Sequence, residues 1–179
     1  MMKTNRKLLV LFLCLSVLLL CGCGESEGNF GNETTAPIDR IINALLLGDV
    51  ATYESAFPDH FVDYYRSLYP DLDEIIGELL SAGKKHDESA YGMDAEVTYE
   101  LLSSEDYPVS LLEAQVYFQN IDSFLYDLPV DSVREAKALQ ISVTRQGSFS
   151  ESERKLDFIV LNIDGKWVLH PEAFGTLFN

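Results

Sequence analysis

The chain has 179 residues, with 13 basic against 29 acidic side chains and a formal net charge of −16. This shortage of cations excludes a nucleic-acid-binding role, because phosphates demand a basic footprint, and it excludes flat adhesion to anionic lipid. Acidity of this size favours solubility and shapes encounters with partners, but it does not choose a fold.

At the N-terminus the charge pattern reverses. Lys3, Arg6 and Lys7 precede an apolar run from Leu8 to Leu20 that only Ser16 interrupts. The run is about 13 residues, against roughly 20 for a bilayer-spanning helix, so residues 1–22 read as a processed export signal. The segment Leu20-Cys21-Gly22-Cys23 resembles the bacterial lipobox, with an apolar residue and two small ones leading into a cysteine. That resemblance implies that Cys23 receives a lipid and becomes the first residue of a protein held at the cell membrane, facing the exterior. The acyl chains are then its membrane contact. Cys14 and Cys21 leave with the signal, so the exported body has no disulfide and rests on its core alone. The polar stretch after Cys23, up to Thr35, reads as a flexible tether; at ~3.5 Å per residue it reaches about 40 Å. Residues 36–179 are expected to form one domain, roughly 150 residues being enough for a single core.

Within that domain, Thr35 as a cap and Pro37 in the first turn predict a helix. Its apolar face is Ile38, Ile41, Ile42, Leu45 and Leu46, and Gly48 ends it. Asp49 caps a short helix from Val50 to Phe57, and Pro58 breaks the chain. A third helix runs from Asp59 to Tyr69, with Phe61, Tyr64, Tyr65 and Leu68 turned partly inward. Asp71 and Glu74 make a capping-box start for a fourth, with Leu72, Ile75, Ile76, Leu79 and Leu80 as its stripe and an end near Gly83. The period then changes to two. Val97, Tyr99 and Leu101 share one side of a strand from Ala95 to Leu102. Pro108 opens a helix with the stripe Leu111, Ala114, Tyr117, Phe118 and Ile121. Strands follow from Ala136 to Arg145, with Leu139, Ile141 and Val143 inward, and from Lys155 to Ile163 after the loop Gln146 to Glu153. Asp164-Gly165 predicts a type I′ turn into a last strand, Lys166 to His170. The unbroken apolar run Phe158 to Leu161 marks a central strand covered on both faces.

The expected architecture is α+β: N-terminal helices packed on one face of a curved, mostly antiparallel four-stranded sheet, with one helix inserted after its first strand. Two segments carry a resemblance. Ala44, Gly48-Asp49, Tyr53 and Phe57-Pro58 are similar to the helical opening of small cystatin-like lipoproteins. Asp164-Gly165-Lys166-Trp167 resembles the closing hairpin of nuclear transport factor 2-like domains, in which helices and a bent sheet enclose a cone. That superfamily holds isomerases, dehydratases and binding modules alike, so the resemblance implies a fold and no single activity.

Candidate functional side chains are few. His60 lies beside Asp59 and Asp63, but a catalytic zinc site takes three protein ligands, and a helix surface explains the trio. His86 falls in a polar stretch that reads as loop. His170, near Trp167, is placed at the mouth of the cone. Tyr53, Phe57, Phe61, Tyr64, Tyr65 and Tyr69 form a dense aromatic group, which core packing or a ligand pocket would each explain. Tyr53, Tyr64, Tyr65, Trp167 and His170 are therefore the candidate pocket. No phosphate loop, nucleophile elbow or metal-ligand set appears, and no cofactor is expected. The sequence reads as a non-catalytic binding domain for a small apolar ligand or a protein partner. An isomerase- or hydrolase-type enzyme inside the cone and a self-pairing homodimer remain as alternatives.

Overall fold

A computed structural model describes residues 33–114 and 130–174, and these form helices followed by a sheet. A 3₁₀ turn, Glu33–Thr35, leads into α1, Ala36–Leu47. Thr35 does not cap α1 with its side chain. It is buried at 2% exposure, and its hydroxyl is hydrogen-bonded to Tyr99 instead. Gly48 ends the helix in the left-handed conformation, φ 68°, where a glycine costs nothing, and its N–H donates to the Ala44 carbonyl. Ile38, Ile41, Ile42 and Leu45 are buried as expected, whereas Leu46 is 43% exposed. The apolar stripe is thus one residue narrower than the pattern implied.

Asp49 accepts from the N–H groups of Ala51 and Thr52 and starts α2, Val50–Glu54, which stops short of the expected Phe57. After Pro58, α3 covers Asp59–Leu68 and buries Phe61 and Val62; Leu68, expected inward, is exposed. The next helix, α4, is the longest among the described residues, Leu72–Tyr91. Asp71 makes no side-chain cap there, and Ile75 is exposed, both against expectation. α4 also runs two turns past Gly83, which places His86 on a helix and not in a loop. Two tertiary ties explain the extension. The turn between β2 and β3 caps the helix end, Phe149 N–H donating to the Tyr91 carbonyl at 2.8 Å and Ser150 Oγ to Ala90 at 2.7 Å. Gly147 is required at that turn, because a Cβ there would collide with the Tyr91 carbonyl.

The sheet is a meander of four antiparallel strands in the order β1-β2-β3-β4: Glu96–Tyr107, Val133–Gln146, Glu151–Ile163 and Lys166–Leu169. It is antiparallel throughout and open. β1 extends five residues beyond the expected Leu102, passing through a register shift between Leu101 and Ser103. The loop expected from Gln146 to Glu153 contracts to the residues between β2 and β3. Asp164 at φ 53° and Gly165 at φ 90° give the positive pair that a type I′ turn needs. Between β1 and β2 lies α5, Val109–Ala114, where Leu112 is buried and Leu111, the expected inward residue, is 46% exposed. Tyr117, Phe118 and Ile121 lie outside the described residues.

The register assigns the faces. Leu139, Ile141 and Val143 stand opposite Phe158, Leu156 and Arg154, and Leu101 and Tyr99 stand beside Ile141 and Val143 on the same face. Tyr99 reaches Asp39 of α1, so this is the face the helices cover. Its aliphatic centre is closed: Ile141 and Val160 are 0% exposed, Leu139 and Val143 1%. β4 is fastened to the helices through backbone, Leu169 N–H donating to the Ala56 carbonyl at 2.7 Å. Arg40 adds bonds to the carbonyls of Ser55 and Trp167. Leu161 and Val168, on the opposite face, are also buried, so β3 is covered on both faces at this end.

Candidate functional site

The residues singled out from the sequence separate into three places. Tyr53, Phe57 and Phe61 are buried in the core, and the ring of Phe174 closes over them at 5.2–5.7 Å between centroids. Tyr65 joins this group through Phe61 and Phe174, and Tyr64 stands edge-on to Tyr65. Trp167 is 6% exposed within the core. His170 follows β4 and donates its N–H to Ile159, which puts it on the face away from the helices. Tyr53 and Tyr65 therefore meet around Phe174, while His170 is separate from them.

His170 is 2% exposed, and its Nδ1 accepts the Glu172 N–H at 3.2 Å, capping the turn Pro171–Ala173. Burial pushes its pKa down to about 4, so the ring is neutral at neutral pH. His60 is also pushed down by burial, against the carboxylates of Asp59 and Asp63. Asp59 itself holds Lys166 at 2.9 Å. Among the described residues, no group of three or more His, Cys, Asp or Glu is placed to hold a metal ion.

A more ordered polar site lies at the far end of the helix-covered face. Counting along β2, the series Leu139, Ile141, Val143 continues to Arg145, and on β3 Phe158 and Leu156 continue to Arg154 and Ser152. The covered face thus changes from aliphatic to cationic within one residue pair. Opposite it, α4 presents Leu79, Ala82, Gly83 and His86, spaced three and four apart on one helical face. Small residues at 82 and 83 leave room between helix and sheet, and a cleft of about 580 Å³ opens there. Asp87, one residue past His86, is 6% exposed and holds Arg145 Nε at 3.2 Å. Tyr91 and Ser152 hydroxyls share a 2.7 Å bond at the same end. Glu153 also borders the cleft, but its carboxylate is bonded by Ser142 Oγ at 2.6 Å on the opposite face of the sheet.

Two further features complete the polar inventory. Tyr99 donates its hydroxyl to Asp39 Oδ1 at 2.7 Å, and burial raises the pKa of both groups. On the outer face, a trough of about 480 Å³ has Glu105, Asp157 and Glu172 around Ala138 and Ile159, with His170 at one end. Neither Asp39 nor Tyr99 borders this trough or the cleft.

Asp87, Arg145 and Phe174 were not among the residues the sequence pointed to. A signal for Asp87 existed: it stands seven residues after Leu80 and so continues the buried stripe Leu72, Ile76, Leu80. A carboxylate on an apolar stripe calls for a buried partner. Compared with known proteins, the chain matches no family model, no curated protein and no solved structure.

Proposed function

We propose that this protein is a lipid-anchored, extracytoplasmic binding domain with no catalytic role. Cys23 carries the anchor and the segment up to Thr35 the tether. The observation that bears most on the body is the closed centre of the sheet: Ile141, Val143 and Val160 are at most 1% exposed, leaving no room there for substrate beside an acid–base pair. Space instead opens at the cleft and the outer trough, both at the periphery. A helical layer on an antiparallel meander, with a closed aliphatic centre, is in keeping with a nuclear transport factor 2-like fold whose interior is filled.

The test uses cells producing the full chain, fed an alkyne-bearing palmitate. Labelling of the protein, lost in Cys23→Ala together with membrane retention, is expected. An unlabelled protein released into the medium with its signal removed would overturn the anchor.

An acid–base enzyme is the second reading, and the Asp39–Tyr99 pair favours it, being a carboxyl of raised pKa beside a tyrosine hydroxyl. The pair joins α1 to β1, which equally suits a structural tie. Turnover abolished by Asp39→Asn in a protein of unchanged melting temperature would establish the enzyme and sink the binding domain. Self-pairing through the sheet finds less support, because the outer face of β2 and β3 carries Gln140, Ser142, Thr144, Glu153, Lys155 and Asp157.

A further inference from the structure

We infer that the free edge of β1 takes up a basic, extended segment of a partner protein as a fifth strand of the sheet. This rests on the binding-domain reading above and gives it a partner class.

The two edges of the sheet are built differently. β4 closes one side with a short strand, Lys166–Leu169, fastened to the helices through Ala56 and Arg40. β1 closes the other with twelve residues, Glu96–Tyr107, none of them buried. Among the described residues it ladders with β2 alone, and no strand lies beyond it. Such an edge presents backbone donors and acceptors to a further chain. Shortness, lysine or proline commonly protects an edge, and β1 is long and contains neither residue. Its register shift divides it into runs 96–101 and 103–107, each as long as an ordinary strand.

Charge and alternation narrow what fits. The register puts Glu96, Glu100 and Glu105 on the outer face, paired with Gln146, Ser142 and Ala138 of β2. Across the same face β3 carries Glu151, Glu153 and Asp157, and Lys155 is the one basic residue in these paired positions. A second copy laid edge to edge would set the β1 carboxylates against their own counterparts, and like charges on facing strands repel. A strand with Lys or Arg on its outer face meets opposite charge there instead. The trough of about 480 Å³ that spans Glu105, Ala138 and Asp157 leaves space for a lysine stem. The other face of β1 holds Val97, Tyr99 and Leu101, half-buried against the core. Apolar residues at alternate positions of the added strand extend that cover. The partner segment is therefore amphipathic with a period of two, cationic outward and apolar toward the helices.

The probe is an end-blocked peptide of alternating Lys and Val, about nine residues long, titrated into the full chain in a neutral detergent. Calorimetry measures the affinity, and hydrogen exchange read by mass spectrometry locates the contact. Saturable binding is expected, with exchange slowed in residues 96–107 and unchanged in 166–169. The same peptide N-methylated at every residue keeps its charges but cannot ladder, and it should not bind. Glu100→Lys with Glu105→Lys should weaken the peptide about tenfold. Glu74→Lys with Glu78→Lys, the same charge change at exposed residues of α4, should alter it little. A folded protein that ignores the peptide at millimolar concentration overturns the inference. Equal binding of the methylated peptide does so too, since attraction to a chain of net charge −16 would then explain everything. Binding that ignores Glu100 and Glu105, or falls equally with the helix pair, overturns the cationic strand. Slow exchange in 96–107 without peptide would mean the edge is already covered, by this chain in a monomer or by a second copy in a dimer, and overturns the partner. None of these results touches lipid labelling at Cys23, so a failure here is distinct from a failure of the anchored binding domain.

Discussion

Asp87 and Arg145 hold the end of α4 to the sheet, and removing one partner should be costly. The side chains are 9% and 16% exposed, and their closest approach is 3.2 Å. Loss of one member of a buried pair typically costs about 3–5 kcal/mol, because the other charge stays behind without compensation. Arg145 opens onto the cleft, where water can reach it, so Asp87→Ala should fall at the low end, about 3 kcal/mol. For a body of roughly 150 residues, each kcal/mol is worth about 2–4 °C, so the melting temperature should fall by about 6–12 °C. Replacing both residues by apolar ones of similar volume, Asp87→Leu with Arg145→Met, should return stability to within about 1 kcal/mol of the original. Urea unfolding followed by circular dichroism, with the slope checked for constancy, measures both variants together with the singles Asp87→Leu and Arg145→Met. An Asp87→Ala loss below about 1 kcal/mol would refute the reasoning, for it would mean the carboxylate is solvated and the pair incidental. A double variant as unstable as the two singles added together would refute it too, since the charges would then not be each other's compensation.

Three more perturbations bear on the fold. His170 has its folded pKa pushed down to about 4, so the unfolded chain binds the proton first. Its contribution is complete above the unfolded value near 6.5 and is lost as pH falls from there to 4, by about 3 kcal/mol. Urea midpoints between pH 7 and pH 4 should show that slope, and His170→Gln should flatten it. Phe174→Ala removes the ring that contacts Tyr53, Phe57, Phe61 and Tyr65, and should cost about 2–3 kcal/mol, read as an earlier thermal transition. Tyr99→Phe removes the donor to Asp39 and should cost about 1–2 kcal/mol by the same urea assay. The lost bond was holding the Asp39 pKa down, so the carboxyl should titrate higher still by carbon-13 NMR.

Local signals located the elements more reliably than their ends. Asp49 and the Asp164-Gly165 pair act through bonds within a few residues, and both behave as the sequence implied. Boundaries moved where distant residues intervene. Gly83 reads as a helix stop, yet a glycine inside a helix costs only about 1 kcal/mol. The capping of Ala90 and Tyr91 by the β2–β3 turn, over fifty residues later in sequence, is enough to carry α4 onward. Thr35 shows the opposite trade: its hydroxyl had a local use as a cap and went to Tyr99. The aromatic group was legible as a group, but its closure by Phe174 was not, because no periodicity connects residue 174 to residues 53–65.

The cleft was half legible, and the reason is physical. Strand alternation was followed through Leu139, Ile141 and Val143 because apolar residues announce the covered face. One step further the same period gives Arg145, and the matching step on β3 gives Arg154. A charged residue at that step reads as the end of the covered strand, since an unpaired buried charge is too costly to expect. The strand does not end there; the helix opposite thins to Ala82 and Gly83, and Asp87 arrives one turn later to meet Arg145. Each departure alone resembles a flaw in its own element: a glycine in a helix, an acid on an apolar stripe, an arginine on a covered face. Together they compensate one another, which is why only the three-dimensional register shows that they make one site.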